Sequence, residues 1–559
     1  MTIAPAPRGA DPIPQRATGP DRARRPATAL QIIAVNAVVV LNIAVLGYNA
    51  LRYPSLENDE GTYVSQGWAV FTQGRLAPYT YFYDHPPGGW LQLAGWQVLT
   101  GGADGLFGSG IASGRIFMIV LHAGSTLLVV AAGRRLTGSL WAGLLAALAF
   151  GLSPYGIVFH RRVLLDNIAA FWMLAAFLLL LSRPLRLNRV WLSAVALGVA
   201  VWSKEIAVTV LPALAVLAAR RAAPHARWLS FWTWLTLCLS LISVYPLMAL
   251  LRGELFSYGG LLGGDRSHVS LLCSLRWQAD RDADGGIADF GSGFWQYAAH
   301  WASGNLVVVV GGTAAAIACV VLFRRDPGLS MLGWLILSFW LFLGRGGLTL
   351  DFYLVPLFPF LALALAAVAW RIARAAGNQM PRMKEPVTGA LFSAMAVACA
   401  GALVLQIAGP GKGEWWHARP AEGQQRAVDW VKKHIPPQSK IIIDMYMYPF
   451  LHDPHHPVQE RFTQAHYYWK AMVDPAVRQV FHNDWREVDY IIATPQLTQD
   501  AQELGSALVR QTLDHSRSVA RFDTGMPVDI RKVDPAVEAS RHTWTKPAQG
   551  PGPGCMNRI

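Results

Sequence analysis

The sequence predicts a mostly α-helical, polytopic membrane protein of about eleven spans, followed by a small C-terminal extracytoplasmic α/β domain. Three observations predict it. The chain is 53% hydrophobic and only 15% charged over 559 residues, too apolar for a soluble protein of that length. Arg and Lys recur in alternate loops between apolar runs long enough to span a bilayer. Past residue 409 the long runs stop, and short strand-like runs alternate with helix-like stretches.

Residues 1–28, rich in Pro, Ala and Arg, read as a disordered basic cytoplasmic tail. The first span covers Ala29 to Ala50, and a polar region, 51–112, follows it. Further apolar segments lie near 113–133, 138–158, 166–182, 188–202, 205–219, 229–251, 301–323, 330–344, 350–370 and 387–408. Trp202-Ser203-Lys204-Glu205 interrupts 188–219, where a single long kinked helix is the alternative to two spans. These segments make a transmembrane domain over 29–409, with external loops 51–112 and 252–300. The basic loops at Arg134-Arg135, Arg183 to Arg189, Arg220 to Arg227, Arg324-Arg325 and Arg371 to Lys384 fall on one side with the tail. By the positive-inside rule that side is the cytoplasm, which puts the polar loops and everything after 409 outside. The same topology accounts for the net charge of +13 without nucleic acid, and 22 Trp suit anchoring at a membrane interface. The predicted localisation is therefore a multi-pass plasma-membrane protein with a cytoplasmic N-terminus.

Residues 410–540 carry strand-like runs at 440–444, 488–493 and 519–522, with helix-like stretches near 422–434, 463–481 and 498–513. Alternation of this kind predicts a small α/β domain. Residues 541–559 read as a disordered end. Cys273 and Cys555 lie outside the apolar segments, and no metal-binding Cys spacing occurs.

The chemistry-bearing residues cluster in the external loops. Glu57-Asn58-Asp59-Glu60 follows the first span, with Tyr83-Asp84-His85-Pro86-Pro87 downstream. Charged groups at a membrane edge are costly to leave idle. On a helix, Asp59 and Glu60 point about 100° apart, so one can serve chemistry while the other holds structure. The two prolines fix the backbone beside His85. In the second loop, Arg161 and Arg162 run against the positive-inside bias and suit an anion, because guanidinium matches phosphate oxygens. An Arg162–Asp166 ion pair with Asp166 as a helix cap is the alternative. Lys204 can reach a phosphate at the bilayer surface or pair with Glu205. Arg345 is a further anion contact, and Tyr83 and Tyr353 are candidate substrate contacts. A divalent metal is a candidate cofactor, with Asp84 and His268 as candidate ligands. The His452-Asp453-Pro454-His455-His456 patch reads as a surface loop.

The external Asp59-Glu60, the Asp84-His85-Pro86-Pro87 loop, the external Arg162 and Asp166, and Tyr353-Leu354-Val355-Pro356-Leu357-Phe358-Pro359 in a late span together resemble one group. It is the polytopic GT-C glycosyltransferases of the protein O-mannosyltransferase and lipid A aminoarabinose transferase type (glycosyltransferase family 39/83). The resemblance covers about residues 29–410. It implies a polyprenyl-phosphate sugar as donor and a lipid, glycan or protein acceptor on the outer face. It implies that Asp59 is the first-loop catalytic aspartate and Asp166 the second external aspartate. His85 stands where one branch has His and the aminoarabinose branch has Lys, and Lys204 matches a lysine of that second branch. Asp84 stands where that branch has a Glu linked to a bound metal. The lumenal modules specific to protein mannosylation are lacking, which leaves the acceptor open.

The chemistry fits the residues. An attacking hydroxyl must lose a proton, and a carboxylate can take it. Asp59 is the candidate base, with Glu60 or Asp166 orienting it or the acceptor. A departing lipid phosphate gains charge that Arg161, Arg162, Lys204 and His85 would stabilise. Single inversion at the sugar carbon follows. A transporter or lipid flippase is the rival from another class. It would place charge near the midplane and show related halves, whereas here the charges sit at one rim. A membrane scaffold with an external binding domain is a third reading, and it leaves the rim carboxylates unexplained.

Overall fold

The computed structural model describes residues 28–102, 106–256, 269–280, 285–409, 414–453, 458–537 and 544. It is a helix bundle carrying a small sheet-and-helix unit at its C-terminal end. Five helices are long and apolar enough to cross a membrane alone: Ala29–Gly47, Gly110–Thr137, Pro224–Leu251, Asp351–Gln379 and Pro381–Ala408. Two bent helix pairs, Leu140–Gly151 with Pro154–Arg161 (66°) and Gly293–Gly304 with Leu306–Val321 (112°), are long and apolar enough only when taken together, as a broken span or a re-entrant loop. Leu165–Leu180, Leu187–Ser203 and Pro327–Leu343 are shorter apolar helices, and Leu211–Arg221 completes the predicted segments.

The two bends are tied to each other. Asn305 is fully buried at the second break, and its Oδ1 accepts from Ser153 Oγ (2.8 Å) and Tyr155 N (3.0 Å) at the first. The freed backbone group therefore finds a partner inside the bundle, as a broken membrane helix requires. The doubtful stretch at 188–219 is two helices, not one. Lys204 is extended (φ −154°, ψ 122°), and a 3₁₀ turn, Glu205–Val210, separates Leu187–Ser203 from Leu211–Arg221.

Three helices carry a basic loop at one end and a candidate residue at the other. Arg189 opens Leu187–Ser203 and Lys204 closes it. Asp166 opens Leu165–Leu180, with Arg183 beyond its far end. Asp326 caps Pro327–Leu343, and Arg345 lies past its end. The basic loops also meet one another: Arg371 reaches Asp326 at 2.7 Å, Arg221 reaches the same carboxylate at 3.9 Å, and Arg220 donates to the Arg324 carbonyl.

The region after the first span folds as two short helices, Asn58–Gln73 and Gly88–Thr100. The C-terminal unit is a five-stranded mixed sheet ordered β2-β1-β3-β5-β4. Its strands are β1 Ile441–Ile443, β2 Ala465–Tyr467, β3 Tyr490–Ala493, β4 Ser516–Phe522 and β5 Val528–Val533. β2, β1 and β3 are parallel, and β5 and β4 add an antiparallel edge. The predicted helix near 463–481 is instead β2 followed by Tyr468–Val473 and Pro475–Val480, because Pro475 breaks the run. The stretch 498–513 is two helices separated at Gly505, which sits at φ +68°.

This unit is not simply displayed beside the bundle. One hydrophobic core contains Tyr63, Val64 and Trp68 of the first-loop helix together with Val428, Ile441 and Tyr446 of the C-terminal unit. Gly61 touches it backbone to backbone: a Cβ there would overlap the Met445 carbonyl and Tyr446 Cα. Leu56 and Gln424 exchange hydrogen bonds of 2.7 and 2.9 Å.

Candidate active site

A cavity of about 620 Å³ lies between the bundle and the C-terminal unit. Asp59, Asp84, His85, Lys204, Arg345 and Tyr353 all line it. Five separate stretches of chain thus converge on one space.

The paired carboxylates of the first loop divide as helical spacing requires. Glu60 is fully buried and turns away from the cavity. Its Oε1 accepts from Arg115 Nε (2.9 Å) and Val163 N (3.0 Å). Its Oε2 accepts from Arg115 Nη2 (2.7 Å) and Glu57 N (3.1 Å). Arg115 spends its other donors on the carbonyls of Ala50, Pro54 and Ser55. The pair is saturated and pins the end of the first span to the loop. This corrects the expectation that Glu60 orients the acceptor or Asp59 directly. Asp59 faces the cavity and has no hydrogen-bond or ion-pair partner among the described residues.

His85 sits between two charged groups. Its Nδ1 lies 3.1 and 3.0 Å from the Glu205 carboxylate oxygens, and its Nε2 lies 3.0 Å from Lys204 Nζ. An ammonium only donates, so Nε2 accepts and Nδ1 carries the proton toward Glu205. The His85 carbonyl accepts from Tyr81 (2.6 Å) and Tyr245 (3.2 Å), which fixes the loop. Lys204 also approaches Asp166 Oδ2 at 3.8 Å and lies about 6 Å from the Tyr63, Phe352 and Tyr353 rings. Asp166 is fully buried behind Lys204 and makes no side-chain hydrogen bond. Neither self-contained pair considered from sequence forms: Lys204 does not pair with Glu205, nor Arg162 with Asp166.

The two arginines of the second loop are engaged elsewhere. Arg161 is fully buried and donates to the Val45, Leu46 and Tyr48 carbonyls, satisfying the end of the first span. It does not line the cavity. Arg162 pairs with Glu57 at 3.1 Å and lies over Phe159. Arg345 lines the cavity with its guanidinium over the Phe342 ring at 4.0 Å and one hydrogen bond to the Phe342 carbonyl. It has no carboxylate partner among the described residues. Tyr83 is turned out of the cavity: its hydroxyl donates to Glu254 and its ring packs on Tyr81 at 4.5 Å.

A family model described as dolichyl-phosphate-mannose-protein mannosyltransferase matches residues 84–249. Among solved structures, ArnT from Cupriavidus metallidurans bound to undecaprenyl phosphate is similar over 92% of this chain and 100% of its own. Its TM-score is 0.58 at 15% identity. The chain has the GT-C fold. The apo oligosaccharyltransferase of Archaeoglobus fulgidus matches 85% of this chain and 70% of its own, with TM-score 0.53 at 11% identity. No curated protein sequence matches the chain significantly.

The metal expectation fits the residues poorly. Asp84 Oδ1 is buried and without a partner, which is what a cation would need. No further His, Cys, Asp or Glu joins it in a metal-binding group among the described residues. His268 lies outside the described residues. In the patch at 452–456, His452 is buried and stacks on Tyr448 at 3.7 Å, while His455 and His456 also lie outside them.

The sequence reading missed the C-terminal wall of this cavity. Tyr468, Lys470, Gln496 and Asp500 line it. Tyr468 donates to Asp500 Oδ2 (2.6 Å) and accepts from Asn58 Nδ2 (3.2 Å), joining the unit to the residue beside Asp59. Lys470 Nζ donates to the Thr80 carbonyl (3.0 Å) and sits 3.2 Å above the Phe82 ring. Burial pulls its pKa down to about 8 against the opposing pull of Asp474 and Asp84. No motif marked these residues. Arg115 carried a signal that was legible: an Arg inside an apolar span needs a partner, and Glu60 is that partner.

Proposed function

We propose that this GT-C chain is a membrane glycosyltransferase that moves a sugar from a polyprenyl-phosphate donor to an acceptor at the outer face of the plasma membrane. The observation that carries this reading is the unpaired Asp59 carboxylate in the same cavity as Arg345 and Lys204. The acceptor hydroxyl attacks the anomeric carbon on the face opposite the phosphate. The new C–O bond forms as the bond to the phosphate oxygen breaks, and the sugar inverts. Asp59 takes the hydroxyl proton as general base. The lipid phosphate leaves with the bonding electrons, and Arg345 and Lys204 balance its growing charge. His85 holds the Lys204 ammonium in place and is itself held by Glu205. Asp166 lies behind Lys204 and keeps it charged in a dry site. Tyr353 forms part of the wall beside the donor phosphate.

ArnT, similar in fold, binds undecaprenyl phosphate, which supports a donor of that class here. The basic loops gathered at the opposite helix ends support an outward-facing cavity. The test is to supply membranes containing the protein with labelled polyprenyl-phosphate sugars and identify the product. Label moving to an acceptor with inverted anomeric configuration supports the reading. Intact donor recovered with every sugar tried, from protein shown to be folded, contradicts it.

A further inference from the structure

The three parallel strands of the C-terminal unit all end at the same place. The chain leaves central β1 toward β2 on one side, while β3 lies on the other, which makes a topological switch point. Ligands of open α/β sheets bind in the crevice outside such strand ends. Here the residues just past each strand line the cavity: Met445 after β1, Tyr468, Trp469 and Lys470 after β2, and Gln496 and Asp500 after β3. The crevice therefore opens onto the cavity that Asp59 lines.

We propose that this strand-end wall is the acceptor subsite, and that it takes a saccharide. The proposal rests on the transferase reading above. Its side chains are of mixed kind and fixed orientation. The Asp500 carboxylate is held by Tyr468 (2.6 Å) and Gln496 (2.8 Å). Lys470 is held over Phe82 and uses one of its three donors on Thr80. Trp469 lies beside Trp277, ring centroids 6.2 Å apart. A saccharide brings hydroxyls that both donate and accept, and a C–H face that lies flat on an aromatic ring. An apolar acceptor would desolvate the charged Lys470 and Asp500 and supply no hydrogen bond in place of the water it displaced. A phosphorylated one, seated on this wall, would meet the Asp500 carboxylate, while Arg345 and Lys204 across the cavity are assigned to the donor phosphate. The wall also grips the helix that carries Asp59, through Asn58 and Tyr468, so an acceptor seated on Asp500 presents its hydroxyl toward the base.

The test uses the full chain in proteoliposomes, with a labelled polyprenyl-phosphate sugar as donor and the saccharide and protein fractions of the cell envelope as separate acceptors. Asp500→Asn should raise KM for the saccharide fraction by about 10- to 100-fold, the worth of a hydrogen bond to a charged group. Gln496→Ala, at an exposed position, should raise it less. KM for the donor and binding of labelled polyprenyl phosphate should not change in either variant. A rise in donor KM alone would assign the wall to the donor's sugar and overturn the proposal. So would transfer to the protein fraction alone, or an unchanged acceptor KM in both variants. Those results leave the transferase reading standing, whereas wild-type protein that moves no label from any such donor removes both.

Discussion

Adjacent carboxylates at the start of the first-loop helix have opposite fates, and the difference is local. Glu60 accepts four hydrogen bonds in a dry interior, so its charge is fully compensated by Arg115 and two backbone amides. Removing one member of such a buried pair leaves the other uncompensated, at about 3–5 kcal/mol. Glu60→Gln should therefore lower the yield and thermal stability of the folded protein, read by fluorescence-detected size exclusion after heating. A variant as stable as wild type would show that the pair is dispensable. Asp444 makes a second residue-scale test. Burial between β1 and Thr494 pushes its pKa up to about 7 from a model-peptide value of 3.8. An acid raised in the folded state stabilises most below its unfolded pKa and loses that contribution as pH rises through the folded one. Wild-type melting temperature should carry a fall between about pH 4 and 7 that Asp444→Asn lacks. Identical pH profiles for the two proteins would count against that assignment. Asp59, His85, Lys204 and Arg345, which line the cavity, could be singled out in the sequence because charge at an apolar boundary is itself a signal, and Tyr353 because it belongs to the late-span motif that carries the resemblance. Sequence reasoning could not tell that Arg161 caps a helix or that Tyr83 bonds Glu254, because partners more than a hundred residues away leave no trace in composition.

At the scale of the element, the first-loop helix is the part on which the site depends. It carries Asp59 to the cavity, Glu60 to the bundle and Gly61 to the C-terminal unit. Gly61 is required by close approach, not by turn geometry, since the Met445 carbonyl occupies the space of a Cβ. Gly61→Ala should force the unit off the helix. Overpacking of this kind typically costs about 1–3 kcal/mol, and more where backbone cannot shift. Limited proteolysis should then cut between the bundle and residue 421 faster than in wild type. An unchanged digestion rate would mean that the interface yields easily. The helices of the bundle were legible because twenty apolar residues in a row have few other uses. β2 was not legible, since three residues between helix-like neighbours carry no period. β5 was missed because Asp529, Arg531 and Lys532 interrupt its apolar positions. Lys532 is exposed on this edge-proximal antiparallel strand, and Asp529 and Arg531 are half-buried and paired with each other at 2.8 Å, which explains the pattern after the fact.

For the whole molecule, the account needs the cavity and the basic loops on opposite faces of a membrane. Cys273, in the loop before the second bent span, is disulfide-bonded, whereas Cys238, Cys319 and Cys399 are free. An oxidising outer face for that loop agrees with the charge bias. In intact cells, Asp429→Cys, exposed on the C-terminal unit, should react with an impermeant thiol reagent. Asn188→Cys, exposed in a basic loop, should react only after lysis. The reverse pattern would invert the protein and detach the cavity from an extracytoplasmic acceptor. The fold class could be read ahead of the structure because membrane proteins write it into hydropathy, and the charge bias predicts the orientation that these variants test. The closure of the cavity by the C-terminal unit could not, because it is made by contacts more than 350 residues apart, such as Asn58 with Tyr468.

The central claim is that Asp59 takes the acceptor's proton. It is tested most directly by the turnover of Asp59→Asn in proteoliposomes with a labelled polyprenyl-phosphate sugar. The substitution keeps size and hydrogen bonding and removes the base, so the account predicts a fall of about 10²–10⁴-fold, with wild-type expression, melting temperature and binding of labelled polyprenyl phosphate. Turnover within a few-fold of wild type, in protein shown to be folded and in the membrane, would contradict it.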